Sequence, residues 1–263
     1  MAKVTVATPD KAMPCSLPDG FTGQVRSTAY LAKPKDPLHL YNYGIAPGDA
    51  LTIGPRAIDC LAYVWTGAVE AGGHRLAAGS SLVVEHGAAL TIAGADNGAQ
   101  VLVFTASNAP ERPSAGGHVH LLPVDHVSRI PVMIPGVAGG LHFDSACPTC
   151  ELWLHENMFS PEYVTPETQN RGPHCHTEDE IIFITRGEAR LGNRLVGPGT
   201  ALAVHALTMY SFDPGPEGLG FINFRPVRPC ENRRADGRVS READGWERHL
   251  DGKRPGYIDL PPA

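Results

Sequence analysis

The sequence predicts an all-β protein built from two small barrels of the same topology. Short apolar segments dominate the chain and recur about every 8–12 residues between Gly, Pro or Asp, which is typical of sandwiches and barrels. Gly and Pro together number 29 + 24 = 53 of the 263 residues, and both weaken helix interiors. A pattern of glycines also repeats between the two halves of the chain, which suggests that one fold occurs twice.

The predicted strands are rich in β-branched and aromatic residues. They cover Ala50–Ile53, Cys60–Trp65, Ser81–Glu85, Ala89–Ile92, Val101–Thr105, Glu151–Phe159, Glu180–Arg186, Ala189–Leu195, Ala201–His205, Met209–Phe212 and Gly220–Phe224. No amphipathic helix interrupts them. One short helix is expected near Glu242–Leu250, in an otherwise polar and Arg-rich tail.

The internal repeat has a constant offset. Gly67 and Gly187 are separated by 187 − 67 = 120 residues, and Gly79 and Gly199 by 199 − 79 = 120. An apolar strand follows both Gly79 and Gly199, at Ser81–Glu85 and Ala201–His205. We therefore expect an amino-terminal barrel within residues 1–110, a linker at 111–140, a second barrel at 141–226 and an extended tail at 227–263.

Composition and charge exclude several classes of function. The net charge of −6 disfavours nucleic-acid binding, which needs a basic surface. No apolar run reaches the roughly 18 residues of a membrane span, and the first residues lack the apolar core of a signal peptide. The six cysteines are irregularly spaced and do not indicate a disulfide framework. A cytoplasmic protein with a small-molecule substrate, and with no nucleic-acid or membrane partner, is expected; a homodimer is the default assembly.

The most specific motif is a pair of histidines followed by a glutamate. His174 and His176 alternate on a predicted strand and project to one side, while Cys175 points away. Glu180 begins the next strand after a turn. Two imidazoles and one carboxylate directed at one point suit a divalent transition metal: iron(II) is favoured, and manganese, nickel, cobalt or zinc would also fit.

These residues resemble the cupin motifs. The segment from His174 to Gly187 matches G-x5-HxH-x3,4-E-x6-G, except that the leading glycine stands at Gly172. The second motif, G-x5-PxG-x2-H-x3-N, stays in frame from Gly199 but is altered, because its Pro, second Gly, His and Asn places hold His205, Leu207, Tyr210 and Pro214. The resemblance covers both halves. It implies a bicupin, with tandem double-stranded β-helix (jelly-roll) barrels and one metal site in the carboxy-terminal barrel.

Two consequences follow from this resemblance. The corresponding places in the first half hold Gly54, Arg56, Cys60 and Leu90, so the amino-terminal barrel should lack metal ligands. Tyr210 stands where the family has its fourth ligand. It could bind the metal as a phenolate, act as an acid/base or hydrogen-bond donor to a bound ligand, or simply pack beside three protein ligands.

Further candidates for the substrate pocket come from strand parity. Ile182, Ile184 and Arg186 share the face of Glu180, which predicts an apolar floor with an arginine near one mouth. The remaining candidates are His155 on the preceding strand, His205 as a further contact, and Asn223, which shares a face of the last strand with Arg225.

Two other motifs are weaker. His118-Val-His120 is a second HxH, but no glutamate follows at the required distance. Cys147-Pro-Thr-Cys150 has the spacing of a redox or zinc half-site, but the sequence shows no partner pair. It is interpreted as a turn with two small buried thiols.

Three functions remain open. The first is a mononuclear iron(II) dioxygenase that acts on a small organic substrate. The second is a non-redox lyase, isomerase or aminohydrolase with Tyr210 as acid/base, similar in layout to the ureidoglycine aminohydrolase bicupins. The third is a cupin that binds a small ligand without turnover.

Overall fold

A computed structural model describes residues 4–108, 115–134, 137–143, 147, 149–163, 172–227, 231–241 and 254–261. Apart from three short 3-10 turns, the regular secondary structure of these residues consists of strands, so the predicted all-β class is confirmed. Within these ranges the helices are three single 3-10 turns, at Pro9–Lys11, Val124–His126 and Pro161–Tyr163. No helix in the described chain is long and apolar enough to cross a membrane. The helix expected at Glu242–Leu250 lies outside the described residues.

The strands are numbered in chain order. They are β1 Val4–Ala7, β2 Met13–Pro14, β3 Phe21–Gly23, β4 Arg26–Leu31, β5 Leu38–Ile45, β6 Ala50–Ile53, β7 Cys60–Ala71, β8 His74–Ala77, β9 Ser81–Val84, β10 Leu90–Ala106, β11 Val119–Leu122, β12 Ser128–Ile134, β13 Val137–Phe143, β14 Trp153–Phe159, β15 His174–His176, β16 Glu180–Leu191, β17 Arg194–Val196, β18 Ala201–Val204, β19 Asp213–Arg225, β20 Asn232–Arg234, β21 Val239–Ser240 and β22 Ile258–Leu260.

One compact unit, called here the amino-terminal unit, comprises Lys11–Val127, Cys147–Glu151 and Pro255–Ala263. Its sheet has the order β2-β4-β5-β10-β7-β9-β11-β22, with β3, β6 and β8 paired beside this path. Alternate side chains of these strands meet in one apolar core, as expected from the twofold periodicity of a strand. The core includes Tyr43, Leu51, Ile53, Val69, Ile92, Val101, Val119 and Leu121.

The second compact unit, the carboxy-terminal unit, comprises Met1–Asp10, Ser128–Ala146 and Leu152–Arg254. Its main sheet has the order β1-β18-β16-β19-β14-β13-β12, with β17 beside β16, and a small separate sheet has the order β15-β20-β21. Its apolar core includes Ile182, Ile184, Ala189, Val196, Leu202, Leu219 and Phe221.

Each unit is completed by a strand from the far end of the chain. The first strand, β1, pairs with β18 in the carboxy-terminal unit, and the last strand, β22, pairs with β11 in the amino-terminal unit. The predicted range 1–110 therefore includes a strand of the other unit and omits β22, and the range 141–226 omits β1. The reason is that strand pairing joins residues far apart in sequence, so continuous boundaries could not express it.

The segments interpreted as linker and tail also contain strands. β11, β12 and much of β13 fall at residues 111–140, where the sequence predicted a linker. The predicted tail at 227–263 contributes β20, β21 and β22. Most of these strands are short, and Gly and Pro residues lie around them, so the sequence was interpreted as linker and tail.

The repeated glycines have the same environment in both units. Gly67 and Gly187 have φ values of 75° and 63°, so both adopt the left-handed conformation that favours glycine. A Cβ atom on Gly67 would lie 2.0 Å from the oxygen of Gly98, and one on Gly187 would lie 2.3 Å from that of Gly218. The offset of this third pair is again 218 − 98 = 120. The two units thus share the same local environment at these glycines, at the offset of 120 residues that the sequence repeat shows.

Some predicted strand ends are wrong because glycine acts here as a bulge rather than a stop. β10 runs without a break through the gap predicted between residues 92 and 101, with a register shift between Gly94 and Ala99. β16 likewise continues through Gly187, with a shift between Gly187 and Ala189. Bulges let a strand bend while it keeps its partners. The strand predicted at Met209–Phe212 is reduced to a single bridge at Tyr210.

Candidate metal centre

The two histidines of the HxH motif lie on the short strand β15. One edge of β15 faces Tyr210, because the amide of His174 donates to the carbonyl of Tyr210 and the amide of Tyr210 donates to the carbonyl of His174, each at 3.0 Å. This reciprocal pair fixes the backbone of the fourth position of the motif beside the first. The alignment of Tyr210 with the fourth-ligand place of the second motif therefore corresponds to a contact between Tyr210 and His174.

The rings of these residues are close together. The ring centroids of His174 and His176 lie 5.1 Å apart at an angle of 87°. The Tyr210 ring lies 4.7 Å from His174 and 6.4 Å from His176. Two imidazoles and one phenol thus lie side by side, with the Tyr210 ring close to both histidine rings.

Glu180 is the buried acid of this cluster. It begins β16 and is only 1% exposed. Its Oε2 lies 3.9 Å from Nε2 of His176, accepts a hydrogen bond from Nδ2 of Asn223 at 2.7 Å, and forms an ion pair with Nη2 of Arg225 at 3.2 Å. The structure thus brings together His174, His176, Glu180 and Tyr210, the four residues predicted from the motif, and adds Asn223 from the predicted pocket.

The electrostatics keep this acid ionised. Burial alone would raise the pKa of Glu180, but the charges of Arg225 and His176 and hydrogen bonds from Tyr210 and Asn223 outweigh it, so its pKa is lowered. Arg225 is itself only 1% exposed. A buried carboxylate that remains charged is a suitable ligand for a cation.

The donor set also fits a metal. Asn223 and Arg225 occupy Oε2 of Glu180, while its buried Oε1 accepts no hydrogen bond of normal geometry from the described residues. A buried charged oxygen without a partner is unfavourable unless a cation meets it. Imidazole nitrogen and carboxylate oxygen are the donors found in non-haem iron(II) sites. His174, His176 and Glu180 would hold the ion, with Tyr210 adjacent.

The tail supplies residues that the sequence analysis missed. β20 pairs with the other edge of β15, and Arg234 lies opposite His174 while Asn232 lies opposite His176. Directly opposed residues of an antiparallel pair share a face. Arg234 and Asn232 therefore lie on the same face as the two histidines. No local signal marks them, because this pairing joins residues about 60 positions apart.

Several predicted pocket residues line the same interior. Ile182 and Ile184 belong to the buried core of the unit. His155 is 3% exposed, lies opposite Asn223 in the β14–β19 pair, and accepts a hydrogen bond from the indole nitrogen of Trp153 at 2.6 Å. His155 therefore lies on the same face as Asn223, whose side chain donates to Glu180. Strand parity alone could not show which face of β14 is directed towards Glu180.

Two predicted pocket residues are placed elsewhere. Arg186 is exposed and lines an open depression with Glu162 and Glu217. It follows Glu180 by six residues on β16, a distance of about 20 Å along an extended strand. The side chain of His205 is 45% exposed, with Nδ1 3.4 Å from Asp179. Arg186 is an exposed position within β16, and His205 follows the end of β18, so both side chains reach solvent.

The amino-terminal unit differs at the equivalent places. Cys60 begins β7 as Glu180 begins β16, but it is buried in the apolar core, and Arg56 lies over the ring of Phe21 at 4.9 Å. That the interior of this barrel lacks metal ligands stays a prediction. A separate group of metal-type side chains, Glu85, His120 and Cys147, does occur in this unit, with ligand atoms within 4.8 Å of one another.

Comparison with known proteins identifies the fold. No family model and no curated protein matches the sequence. Similar solved structures include the Escherichia coli protein Ylba, of family DUF861, with 17% identity, coverage of 87% of this chain and 91% of that one, and a TM-score of 0.62. Oxalate decarboxylase from Bacillus subtilis, whose Mn(II) centres were studied, has 14% identity, coverage of 88% and 79%, and a TM-score of 0.60. A Nostoc punctiforme protein provisionally described as a dioxygenase has 11% identity, coverage of 99% and 88%, and a TM-score of 0.60.

This chain is thus a cupin-fold protein with two units, and the predicted tandem fold class is confirmed. At 11–17% identity, the likeness is one of fold and does not by itself assign an activity.

Proposed function

We propose that this protein is a metal-dependent enzyme that acts on a small organic acid in its carboxy-terminal unit. One observation carries the proposal: two imidazoles, an ionised buried glutamate and a tyrosine lie together at the places of a cupin metal motif. His174, His176 and Glu180 would hold the ion. Cupin-fold neighbours that include a manganese enzyme support this proposal.

The surrounding residues would orient Glu180 and limit the access of water to the centre. Asn223 and Arg225 donate to one oxygen of Glu180, and its other oxygen accepts no hydrogen bond from the described residues. The apolar side chains of Ile182 and Ile184 limit access of water, and electrostatic interactions are stronger in such a place.

The charges favour an anionic substrate. Glu180 is already paired with Arg225, so a divalent ion bound beside them would add positive charge that Glu180 alone does not neutralise. Arg234, opposite His174, adds another positive charge on the same face. A guanidinium binds a carboxylate through two parallel hydrogen bonds. We therefore infer that the substrate carries a carboxylate.

The first candidate reaction is an iron(II)-dependent dioxygenation. The two-histidine, one-carboxylate set is typical of non-haem iron(II) oxygenases and leaves positions open. Iron(II) would supply the electrons that activate dioxygen. In this reading Tyr210 packs against His174 and helps to position the substrate.

The second candidate is a non-redox lyase, isomerase or aminohydrolase, including decarboxylation. The observation that favours it is the hydrogen bond between Tyr210 and Glu180, which places a transferable proton inside the centre. Tyr210 would then donate or accept the substrate proton. The similarity in fold to oxalate decarboxylase also favours this candidate.

The test combines metal analysis with assays in the presence and absence of air. We expect the purified protein to contain a transition metal and to turn over a member of a panel of small carboxylates and diketones. Uptake of dioxygen on turnover supports the dioxygenase, whereas full activity under anaerobic conditions supports the second candidate.

Two histidine variants provide the control. His176→Ala should lose both the metal and the activity, while His74→Ala, on the β8 hairpin of the other unit, should retain them. Metal loss in His176→Ala without any change in activity or ligand affinity would contradict both candidates and favour a protein that only binds ligands.

A further inference from the structure

Two sequence motifs that the proposed function does not use meet in the amino-terminal unit. They are the second HxH, which ends at His120, and the Cys147–Cys150 pair. Glu85 completes the group, and the ligand atoms of Glu85, His120 and Cys147 all lie within 4.8 Å of one another. The structure thus supplies the partner pair whose absence from the local sequence argued against a zinc half-site.

The group lies on the outer face of the sheet, away from the core of the unit. Val119 and Leu121 point into the apolar core, so His120 between them points to the opposite side of β11. His120 and Glu85 are nevertheless each only 1% exposed. Two titratable side chains buried on the outside of a sheet need a specific partner.

The imidazole is oriented as in a metal site. Its Nδ1 lies 2.5 Å from Oδ1 of Asp259 on β22, and its Nε2 faces Oε1 of Glu85 at 3.1 Å. Histidines that bind a metal usually donate their other ring N–H to a carboxylate, which fixes the tautomer and the ring. Asp259 is placed for that role, and Nε2 faces the side chain of Glu85. Thr149 also contacts both Nε2 of His120 and Oε1 of Glu85.

The two cysteines would bring the number of donor residues to four. Cys147 and Cys150 are both fully buried and are joined as a disulfide, with Cα atoms 5.6 Å apart. The amide of Cys150 donates to Sγ of Cys147 at 3.2 Å. Such a hydrogen bond would stabilise a thiolate at this sulfur once the pair is reduced. The C-x2-C spacing is common in structural zinc sites.

We propose that the reduced Cys147–Cys150 pair, Nε2 of His120 and Glu85 form a structural zinc site, and that oxidation to the disulfide abolishes it. A dithiol reductant breaks the S–S bond, supplies two electrons and two protons, and leaves as its own disulfide. Zn²⁺ then displaces the two thiol protons and the proton that Nε2 of His120 shares with Glu85. Two thiolates with one imidazole and one carboxylate suit zinc and exclude magnesium or calcium.

The site would fasten two segments to the sheet of this unit. Cys147–Glu151 carries both sulfurs, and β22 carries Asp259 beside the imidazole. This role is separate from the proposed catalytic centre, so either proposal can fail without the other.

The test uses the full chain with Zn²⁺ and Co²⁺ as probes, after treatment with a phosphine reductant or with air oxidation. We expect reduced protein to bind an additional equivalent of zinc. With Co²⁺, it should show a sulfur-to-cobalt charge-transfer band in the near ultraviolet, because the proposed carboxy-terminal centre contains only nitrogen and oxygen donors. The air-oxidised protein should lack both signals.

Three variants test whether individual residues contribute to the proposed zinc site. His120→Asn should abolish the band, whereas His118→Asn should keep it. Asp259→Asn should weaken zinc affinity by roughly 10–100-fold, the usual effect of removing a carboxylate that supports a metal-bound histidine. The proposal is overturned if fully reduced wild-type protein shows no band and no additional zinc, or if His120→Asn retains the band. Since the first of these outcomes needs no variant, misfolding of a mutant cannot obscure it.

Discussion

Arg234 is the residue whose role depends most on the fold and least on the local sequence. It lies opposite His174, on the face of the candidate metal centre. Replacement by alanine should weaken the binding of oxalate to the Mn²⁺-loaded protein by about 10- to 100-fold, since hydrogen bonds to charged groups contribute roughly 1.5–3 kcal/mol. Isothermal titration calorimetry measures this, with neutral oxamide as the ligand control.

The neighbouring residue provides a matched variant. Arg233 lies opposite Cys175, on the other face of the strand, and its side chain is 48% exposed in an ion pair with Glu231. Arg233→Ala should bind oxalate as the wild type does. Equal affinities of the two variants would show that Arg234 does not recognise the carboxylate, even if the metal is bound normally.

Some residues of the candidate site could be predicted from the sequence, and others could not. His174, His176, Glu180 and Tyr210 were found because the motif places them within 36 residues of one another, at fixed spacings. Arg225 was placed on the correct strand face with Asn223, but its ion pair with Glu180 depends on the register between β16 and β19. Arg234 depends on the register of β20, which has no sequence signal. Local spacing thus predicted which candidate ligands lie together, and non-local strand pairing determined the residues around them.

At the scale of the element, the turn after β18 holds a residue in an unfavourable conformation. Leu207 has a φ of 58°. Among the described non-glycine residues, it alone has a positive φ. It stands in the glycine place of the cupin motif, and its amide donates to the carbonyl of His176 at 2.7 Å. The turn therefore keeps the backbone conformation of the motif although its residue type has changed.

Leu207→Gly should stabilise the protein. The left-handed conformation costs a non-glycine residue about 1–2 kcal/mol, and the greater freedom of glycine in the unfolded chain offsets roughly 0.5–1 kcal/mol of this. The side chain is 54% exposed, so little burial is lost. The free energy of unfolding from urea denaturation should rise by about 0.5–1 kcal/mol.

Met209→Gly serves as the control, because Met209 is 47% exposed and does not have a positive φ. It should lower the free energy of unfolding. If Leu207→Gly is destabilising by a similar amount, the turn carries no relievable strain.

Elements whose signal is local were predicted more reliably than those that depend on context. Ala50–Ile53 was predicted with the same bounds that the structure shows. β10 and β16 were each divided at glycines that the fold uses as bulges, because a glycine can either end a strand or bend it. The sequence contains the bulge residue, but only the partner strand determines which of the two occurs.

At the scale of the whole molecule, the repeat predicted the tandem fold but not the exchange of end strands. The offset of 120 residues relates the two halves, and the structure extends it to Gly98 and Gly218. The short strand β1, however, completes the carboxy-terminal unit, although it begins at residue 4. Four residues with no periodic pattern give little indication of a partner about 200 positions away.

This exchange predicts that a change at the start of the chain affects the distant candidate metal centre. Val6 lies opposite Leu202 on β18, packs against the carboxy-terminal core, and β18 in turn pairs with the strand that begins at Glu180. Val6→Asp would bring a charge against this core. It should lower the free energy of unfolding by roughly 1–3 kcal/mol and weaken metal binding at His174 and His176.

Thr5→Asp provides the matched control, because Thr5 is the exposed neighbour on the other face of β1. It should change stability by no more than about 0.5 kcal/mol, as is usual for a surface substitution. Urea denaturation and metal titration at the carboxy-terminal centre measure both effects, while the sulfur-to-cobalt band of the amino-terminal unit should remain in both variants. If Val6→Asp behaves like Thr5→Asp, β1 is not an integral strand of the carboxy-terminal unit, and the first residues contribute nothing to the support of Glu180.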